Sequence, residues 1–156
     1  MREQHHGEIE VALYLLNDST QSMNLNLFSM IPQDAPYVKT FSISNNEGTS
    51  RTETSLEYDL QIITTTNLPL RYELYMHEEG EASNTTDIIT SKVIEADEDG
   101  TYFQKIGTNT KSFGHTEDKT NIYDLVIYFD KQYKTIVDYQ DIIESVELKI
   151  DSKQII

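Results

Sequence analysis

The sequence predicts an all-β protein, an antiparallel β-sandwich of jelly-roll-like arrangement formed as one domain over residues 1–156. Apolar residues recur at every second position along most of the chain, turn residues separate these sets, and no linker divides them. Alternating side chains point to opposite faces of a strand, so each antiparallel strand gains one buried and one polar face. About eight or nine short strands with regular turns are typical of a sandwich.

The alternating sets follow one another along the chain. Their apolar members are Ile9, Val11, Leu13 and Leu15; Met23, Leu25 and Leu27; Phe41 and Ile43; Leu56, Tyr58, Leu60 and Ile62; Tyr72, Leu74 and Met76; Tyr123, Leu125, Ile127 and Phe129; Val146, Leu148 and Ile150. Less regular sets predict strands at 87–94 and 101–106, joined by a hairpin loop at 95–100. Residues 45–48 have the composition of a turn.

One stretch departs from the period of two. Ile136, Tyr139 and Ile143 are spaced as on one face of a helix. The spacing predicts one short helix at 135–145, directly before the last strand.

The charge balance excludes several classes of partner. The chain contains 12 Lys and Arg residues and 27 Asp and Glu residues, which gives a formal net charge of -15. Phosphate neutralisation needs a basic surface, so we expect no nucleic-acid partner, and anionic lipid is disfavoured for the same reason. No apolar run approaches the ~20 residues that span a membrane, and no signal peptide is evident. Cysteine is absent, which excludes disulfides and thiolate chemistry.

The motifs of common enzymes are missing. His77 begins a segment like a zinc-protease helix, but Glu81 stands where the second histidine is required, and His115 has no partner nearby in sequence. Neither a nucleophile elbow nor a phosphate-binding glycine loop is present. We therefore expect no enzymatic activity, no cofactor, no stoichiometric zinc and no cleavage of casein.

An acidic loop imitates the beginning of a calcium site. Glu95, Asp97 and Asp99 offer oxygens at alternate positions, and Gly100 stands at the sixth. The twelfth position should be a bidentate acid and is Ile106, and the flanking pattern is strand rather than helix. The pattern favours a solvated hairpin and leaves these three acids as the candidate metal ligands.

Tyr14, Tyr75 and Tyr128 fall on the predicted outer faces of strands. Exposed aromatic rings could stack on sugars, whereas cross-strand packing is the usual role of such residues.

Several segments together resemble the TasA/camelysin-like proteins, which Gram-positive bacteria secrete behind SipW-type signal peptides. The matching segments are 7–13, 30–34, 41–45, 58–62, 67–75, 123–129 and 141–150. The usual glycine of the Pro-Gly-Asp turn is Gln33 here. The resemblance covers most of the chain through strand patterns and turn residues, without a catalytic signature.

This resemblance implies a protein that is secreted or lies at the cell surface, in the biofilm matrix. It also implies a candidate fibre subunit whose partner is itself or a related matrix subunit, joined by β-strand addition. Two alternatives stay open. One is a metal-dependent surface protease of camelysin type, which requires His77 and His115 to be brought together. The other is a carbohydrate- or protein-binding adhesion module. Strand addition needs an apolar donor segment; residues 1–7 offer only Met1, and residues 9–15 are needed in their own core. The high charge adds repulsion between copies. We therefore expect a monomer at low salt and neutral pH, with assembly requiring an N-terminal extension or acidification.

Overall fold

The computed structural model describes residues 9–15, 18–25, 30–82, 85–135 and 145–155. These residues form strands with one short 3₁₀ turn at Lys131–Lys134. The strands are β1 Val11–Tyr14, β2 Ser19–Leu25, β3 Tyr37–Ser44, β4 Asn46–Glu47, β5 Ser50–Arg51, β6 Leu56–Thr65, β7 Arg71–Glu78, β8 Ser91–Ala96, β9 Tyr102–Gly107, β10 Lys111–Phe113, β11 Thr120–Tyr128 and β12 Val146–Gln154. The all-β prediction is confirmed.

Two sheets pack face to face. The first sheet has the order β1-β3-β11-β7, and the second has the order β2-β12-β6-β9-β8, with β10 pairing with the beginning of β6. A small hairpin of β4 and β5 is separate from both sheets, and Gly48 adopts a φ of 61° in its turn. The turn predicted at 45–48 is thus part of this hairpin.

One apolar core lies between the sheets. The first sheet contributes alternate residues such as Phe41, Tyr123 and Leu125, and the second contributes residues such as Ile62 and Leu148, all fully buried. The period of two explains this arrangement, because it places every second side chain of a strand on its inner face.

A buried hydrogen-bonded group crosses the core. The hydroxyls of Tyr58 in the second sheet and Tyr123 in the first lie 2.7 Å apart. The Asn121 side-chain amide donates to the Tyr58 hydroxyl at 2.7 Å. The Tyr123 ring stacks on Phe41 at 5.0 Å between ring centroids. These contacts satisfy the polar atoms that the two tyrosines carry into the core.

One pair of strands differs from the antiparallel expectation. β1 runs parallel to β3, with Val11 opposite Phe41 and Leu13 opposite Ile43. Every other paired strand among the described residues is antiparallel. The alternation of apolar residues does not show whether a strand runs parallel or antiparallel to its neighbour. The direction depends on how the chain connects the two strands.

The strand predicted at 87–94 is displaced in the structure, where β8 begins at Ser91. Asp87 and Ile88 instead lie along β7 and bond to the backbone of Leu74. The predicted helix at 135–145 falls mostly on residues 136–144, which lie outside the described residues.

Candidate functional site

The acidic loop predicted at 95–100 overlaps the hairpin of β8 and β9. Glu95 belongs to the end of β8, and the turn follows at 97–101. The Asp97 N–H donates to the Thr101 carbonyl at 2.7 Å, and the Gly100 N–H donates to the Asp97 carbonyl at 3.0 Å. Gly100 has a φ of 86°, a conformation that glycine adopts without strain. The hairpin predicted from the sequence is confirmed, and its residues are exposed.

The carboxylates of this turn bond to its backbone. Asp97 accepts the N–H of Glu98 at 3.1 Å, and Asp99 accepts the N–H of Thr101 at 2.9 Å. The bond from Thr101 lowers the pKa of Asp99. Such bonds are typical of Asp in turns and favour the ionised form.

The third acid of the candidate calcium site has a different role. Glu95 lies within β8 and forms an ion pair with Lys105 of β9 at 3.0 Å. Across the described part of the chain, no three His, Asp or Glu side chains gather in a way that could hold a metal ion. The structure thus places Glu95, Asp97 and Asp99 on one hairpin without joining them into a ligand set.

The two histidines occupy separate elements. His77 lies on β7 opposite Ile122 of β11. His115 follows β10, and its Nδ1 lies 3.1 Å from the Ser55 hydroxyl, while its carbonyl accepts a bond from Arg51 Nε at 2.7 Å. Sequence reasoning found no partner for His115, because Ser55 is distant in the chain and is brought near by the pairing of β6 with β10.

Two of the three predicted outer tyrosines form a cluster on the outer face of the first sheet. The hydroxyls of Tyr75 and Tyr128 both donate to Glu73 Oε1 at 2.8 Å. Arg71 lies over the Tyr128 ring, 4.5 Å from its centroid, and donates to both carboxylate oxygens of Asp130 at 3.0 and 3.1 Å. The bonds from Arg71 lower the pKa of Asp130.

This cluster leaves little aromatic surface for a ligand. Tyr75 is only 7% exposed, and Arg71 covers one face of the Tyr128 ring. Tyr14 is exposed at the far side of the sheet, opposite Ser44. The outer positions of all three tyrosines agree with the alternation, but the rings do not form an open stacking platform.

The sheet edges are the remaining candidate sites, because an edge strand presents backbone groups that another chain can bind. The β7 edge is covered. The Leu74 N–H donates to Asp87 Oδ1 at 3.0 Å, the Leu74 carbonyl accepts the Ile88 N–H at 2.9 Å, and Lys92 Nζ donates to the Tyr72 carbonyl at 3.2 Å.

The β1 edge is short and anchored by two leucines. Leu13 and Leu15 are each 4% exposed, whereas Ile9 is 43% exposed and Tyr14 is 37% exposed. The Leu15 N–H donates to the Ser44 carbonyl at 2.8 Å beyond the end of β1. A four-residue strand with two buried anchors is the least extensively paired member of the first sheet.

The β2 and β8 edges of the second sheet differ in character. β2 is rich in Ser, Thr, Gln and Asn, and Gln21 Nε2 bridges to the Tyr14 carbonyl at 2.9 Å. β8 is exposed along all six of its residues, including Val93 and Ile94.

No family model matches the chain, and no curated protein or solved structure matches it either. The resemblance to the TasA/camelysin-like proteins therefore remains a prediction from the sequence. No helix among the described residues is long and apolar enough to cross a membrane.

Proposed function

We propose that this chain is a non-enzymatic protein of the cell surface or extracellular matrix, and a fibre subunit that assembles by β-strand addition. The observation that carries the proposal is the β1 edge. β1 is a four-residue parallel strand whose attachment to the sandwich depends on Leu13 and Leu15. The sequence resemblance supports export and a matrix role.

A strand of this kind can be exchanged between copies at little cost. If β1 of one copy lies along β3 of the next, the register Val11–Phe41 and Leu13–Ile43 is formed between chains instead of within one. The same contacts are made in both states, which is the basis of domain swapping. Because each copy donates one strand and accepts another, the contact is heterologous and can continue into a fibre.

Charge opposes assembly at neutral pH. A net charge of -15 produces repulsion between copies, and the sequence pI is about 4.4. Acidification towards the pI protonates carboxylates and removes this repulsion. We therefore expect a monomer at pH 7 in low salt and fibres near pH 4.5.

A disulfide lock tests the exchange, because the chain has no native cysteine to interfere. Ala12 and Ser42 are register partners on β1 and β3, so the double variant Ala12→Cys with Ser42→Cys can tie β1 to its own sheet. The matched control is Ser22→Cys with Lys149→Cys, which ties β2 to β12 instead.

Light scattering and electron microscopy at pH 4.5 give the result. We expect no fibres from the oxidised β1 lock, fibres after its reduction, and fibres from the control in both redox states. Fibres from the oxidised β1 lock would contradict exchange of β1. Failure of the unmodified chain to form fibres at any pH between 4 and 7.5 would contradict the fibre role.

Immunodetection tests the matrix role separately. We expect the protein in the surface or matrix fraction of the producing cells, and confinement to the cytosol would contradict it. The camelysin-type protease and the adhesion module remain alternatives, and neither His77 with His115 nor the tyrosine cluster supplies a geometry that favours one of them.

A further inference from the structure

The β8–β9 hairpin presents an unusual concentration of exposed apolar side chains. Val93 is 50% exposed, Ile94 is 63% exposed and Tyr102 is 57% exposed. Val93 and Ile94 are consecutive in β8, so their side chains lie on opposite faces of the strand. The pairing of Ala96 with Tyr102 places Tyr102 on the same face as Ile94. Among the strands that the structure describes, β8 is the last of its sheet, and no described strand follows it.

The backbone of β8 offers hydrogen-bonding groups at this edge. The last register pair of the hairpin is Ala96 with Tyr102, and one position further the Asp97 N–H bonds to the Thr101 carbonyl. Hydrogen-bonded pairs alternate along an antiparallel ladder, so Glu95 and Val93 direct their backbone groups towards β9. The N–H and carbonyl groups of Lys92, Ile94 and Ala96 therefore point away from the sheet.

We propose that the β8 edge binds the β8 edge of a second copy of this chain, in an antiparallel pair related by a two-fold axis. When the two-fold axis is perpendicular to the sheet, each face of one copy's sheet continues into the same face of the partner's sheet. Only residues on the same face can therefore lie opposite one another. Centred on Ile94, the pair places Ile94 opposite the partner's Ile94 and Lys92 opposite the partner's Ala96. The outward backbone groups of both copies are then paired.

The local charge adds little repulsion to a contact between two copies at this edge. The two strands of the hairpin contain Lys92 and Lys105 against Glu95, a net charge of +1 in a chain of net charge -15. The antiparallel arrangement also directs the two acidic turns at 97–99 towards opposite ends of the pair. A parallel arrangement would bring these turns together, and their like charges would repel.

The contact differs from the exchange of β1 and does not depend on it. A two-fold contact is closed at the dimer, because each copy has one β8 edge. It cannot build a fibre by itself, but it can join two fibres side by side. A strand pair of six residues is smaller than a standard interface, so we expect weak association that rises with protein concentration.

Single-cysteine variants test the pairing with the full chain. In Ile94→Cys the two introduced thiols face each other across the axis. In Val93→Cys each thiol faces the partner's Glu95, and the two thiols are offset from one another. Met23→Cys is the matched control, because Met23 is an exposed apolar residue, 40% accessible, on the β2 edge of the same sheet.

We expect Ile94→Cys to form disulfide dimers about tenfold faster than Met23→Cys under mild oxidation, with Val93→Cys between them. The rate should rise with salt, because screening reduces the repulsion between the two acidic chains; the Debye length falls from about 30 Å at 0.01 M to about 8 Å at 0.15 M. Equal rates for Ile94→Cys and Met23→Cys would overturn the proposal. A faster rate for Val93→Cys than for Ile94→Cys would overturn its register.

A proline variant tests the backbone pairing. Ile94→Pro removes an N–H that does not bond to β9, so the monomer should keep its far-UV circular dichroism. Sedimentation equilibrium at high protein concentration and about 0.15 M salt, where the repulsion between copies is screened, should detect dimers of the unmodified chain and none of the variant. Equal dimer content in both would overturn the proposal, and the disulfide rates decide it even where the proline variant fails to fold.

Discussion

β11 and β8 contain the same dipeptide in opposite environments. Val126 and Ile127 of β11 are both fully buried, whereas Val93 and Ile94 of β8 are 50% and 63% exposed. β11 has a neighbour on each side, and its inner residues face the second sheet. Within the described part of the chain, β8 has one neighbouring strand, and it is exposed along its whole length. The difference shows that position in the sheet, rather than residue type, decides whether an aliphatic side chain stabilises the fold.

The two isoleucines provide the largest contrast. Ile127→Ala removes buried methyl groups from the core and should lower the free energy of unfolding by about 2–5 kcal/mol. Ile94→Ala removes the same atoms from an exposed strand and should change it by less than about 0.5 kcal/mol. Urea denaturation at a protein concentration too low for dimers measures both values. Equal losses would mean that the β8–β9 hairpin is part of the cooperative core.

The tyrosines give a second matched pair. The Tyr58 hydroxyl contacts Tyr123 and Asn121 in the core, and Tyr102 is 57% exposed on the hairpin. Tyr58→Phe leaves buried polar atoms without their partner and should cost about 1–3 kcal/mol. Tyr102→Phe should be neutral by the same urea denaturation. A neutral Tyr58→Phe would show that the Asn121 amide finds another acceptor.

The buried tyrosines also make stability depend on pH in the alkaline range. Burial raises the pKa of Tyr58 to about 12 and raises the pKa of Tyr123 well above its usual value of 10.0. The folded state then holds these protons more tightly than the unfolded chain does. Below pH 10 the two tyrosines make their full contribution to the free energy of unfolding. As pH rises from 10 towards 12 this stabilisation is lost, by up to about 1.4 kcal/mol per pH unit for each tyrosine.

Unfolding free energies measured between pH 9 and 12 check this expectation. Tyr58→Phe should reduce the slope above pH 10. An unchanged slope in Tyr58→Phe would mean that other groups cause the alkaline loss.

The sequence predicts the core better than the edges. The alternation identifies the inner residues of β6, β11 and β12, because a strand in the middle of a sheet must bury one face consistently. It does not reveal that β1 runs parallel to β3, nor that Asp87 and Ile88 cover the β7 edge instead of forming a strand. Both depend on contacts between distant segments, which a local period does not record.

The candidate sites also combine features that the local sequence predicts with features that depend on distant segments. The hairpin at 95–100 is predicted from its turn residues, and the outer positions of Tyr75 and Tyr128 from their alternation. The bonds of both tyrosines to Glu73, and the pairing of His115 with Ser55, arise only when separate strands are brought side by side.

The smallest expected effect concerns two glycines in exposed loops. Gly100 has a φ of 86° in the β8–β9 turn, and Gly114 lies after β10 without a positive φ. A Cβ added at either position meets no atom within 4 Å, so the two sites differ in backbone conformation rather than in space. Gly100→Ala should cost about 1 kcal/mol, since alanine is strained at positive φ, whereas Gly114→Ala should be neutral or slightly stabilising.

The part of the molecule that Gly100→Ala destabilises is as informative as the size of the destabilisation. If the hairpin opens separately from the core, amide exchange should accelerate in β8 and β9 and remain unchanged in β11. Global unfolding by urea should then shift less for Gly100→Ala than for Tyr58→Phe. Equal acceleration of exchange in β8 and β11 would contradict the contrast between the two strands, because it would mean that edge and centre open together.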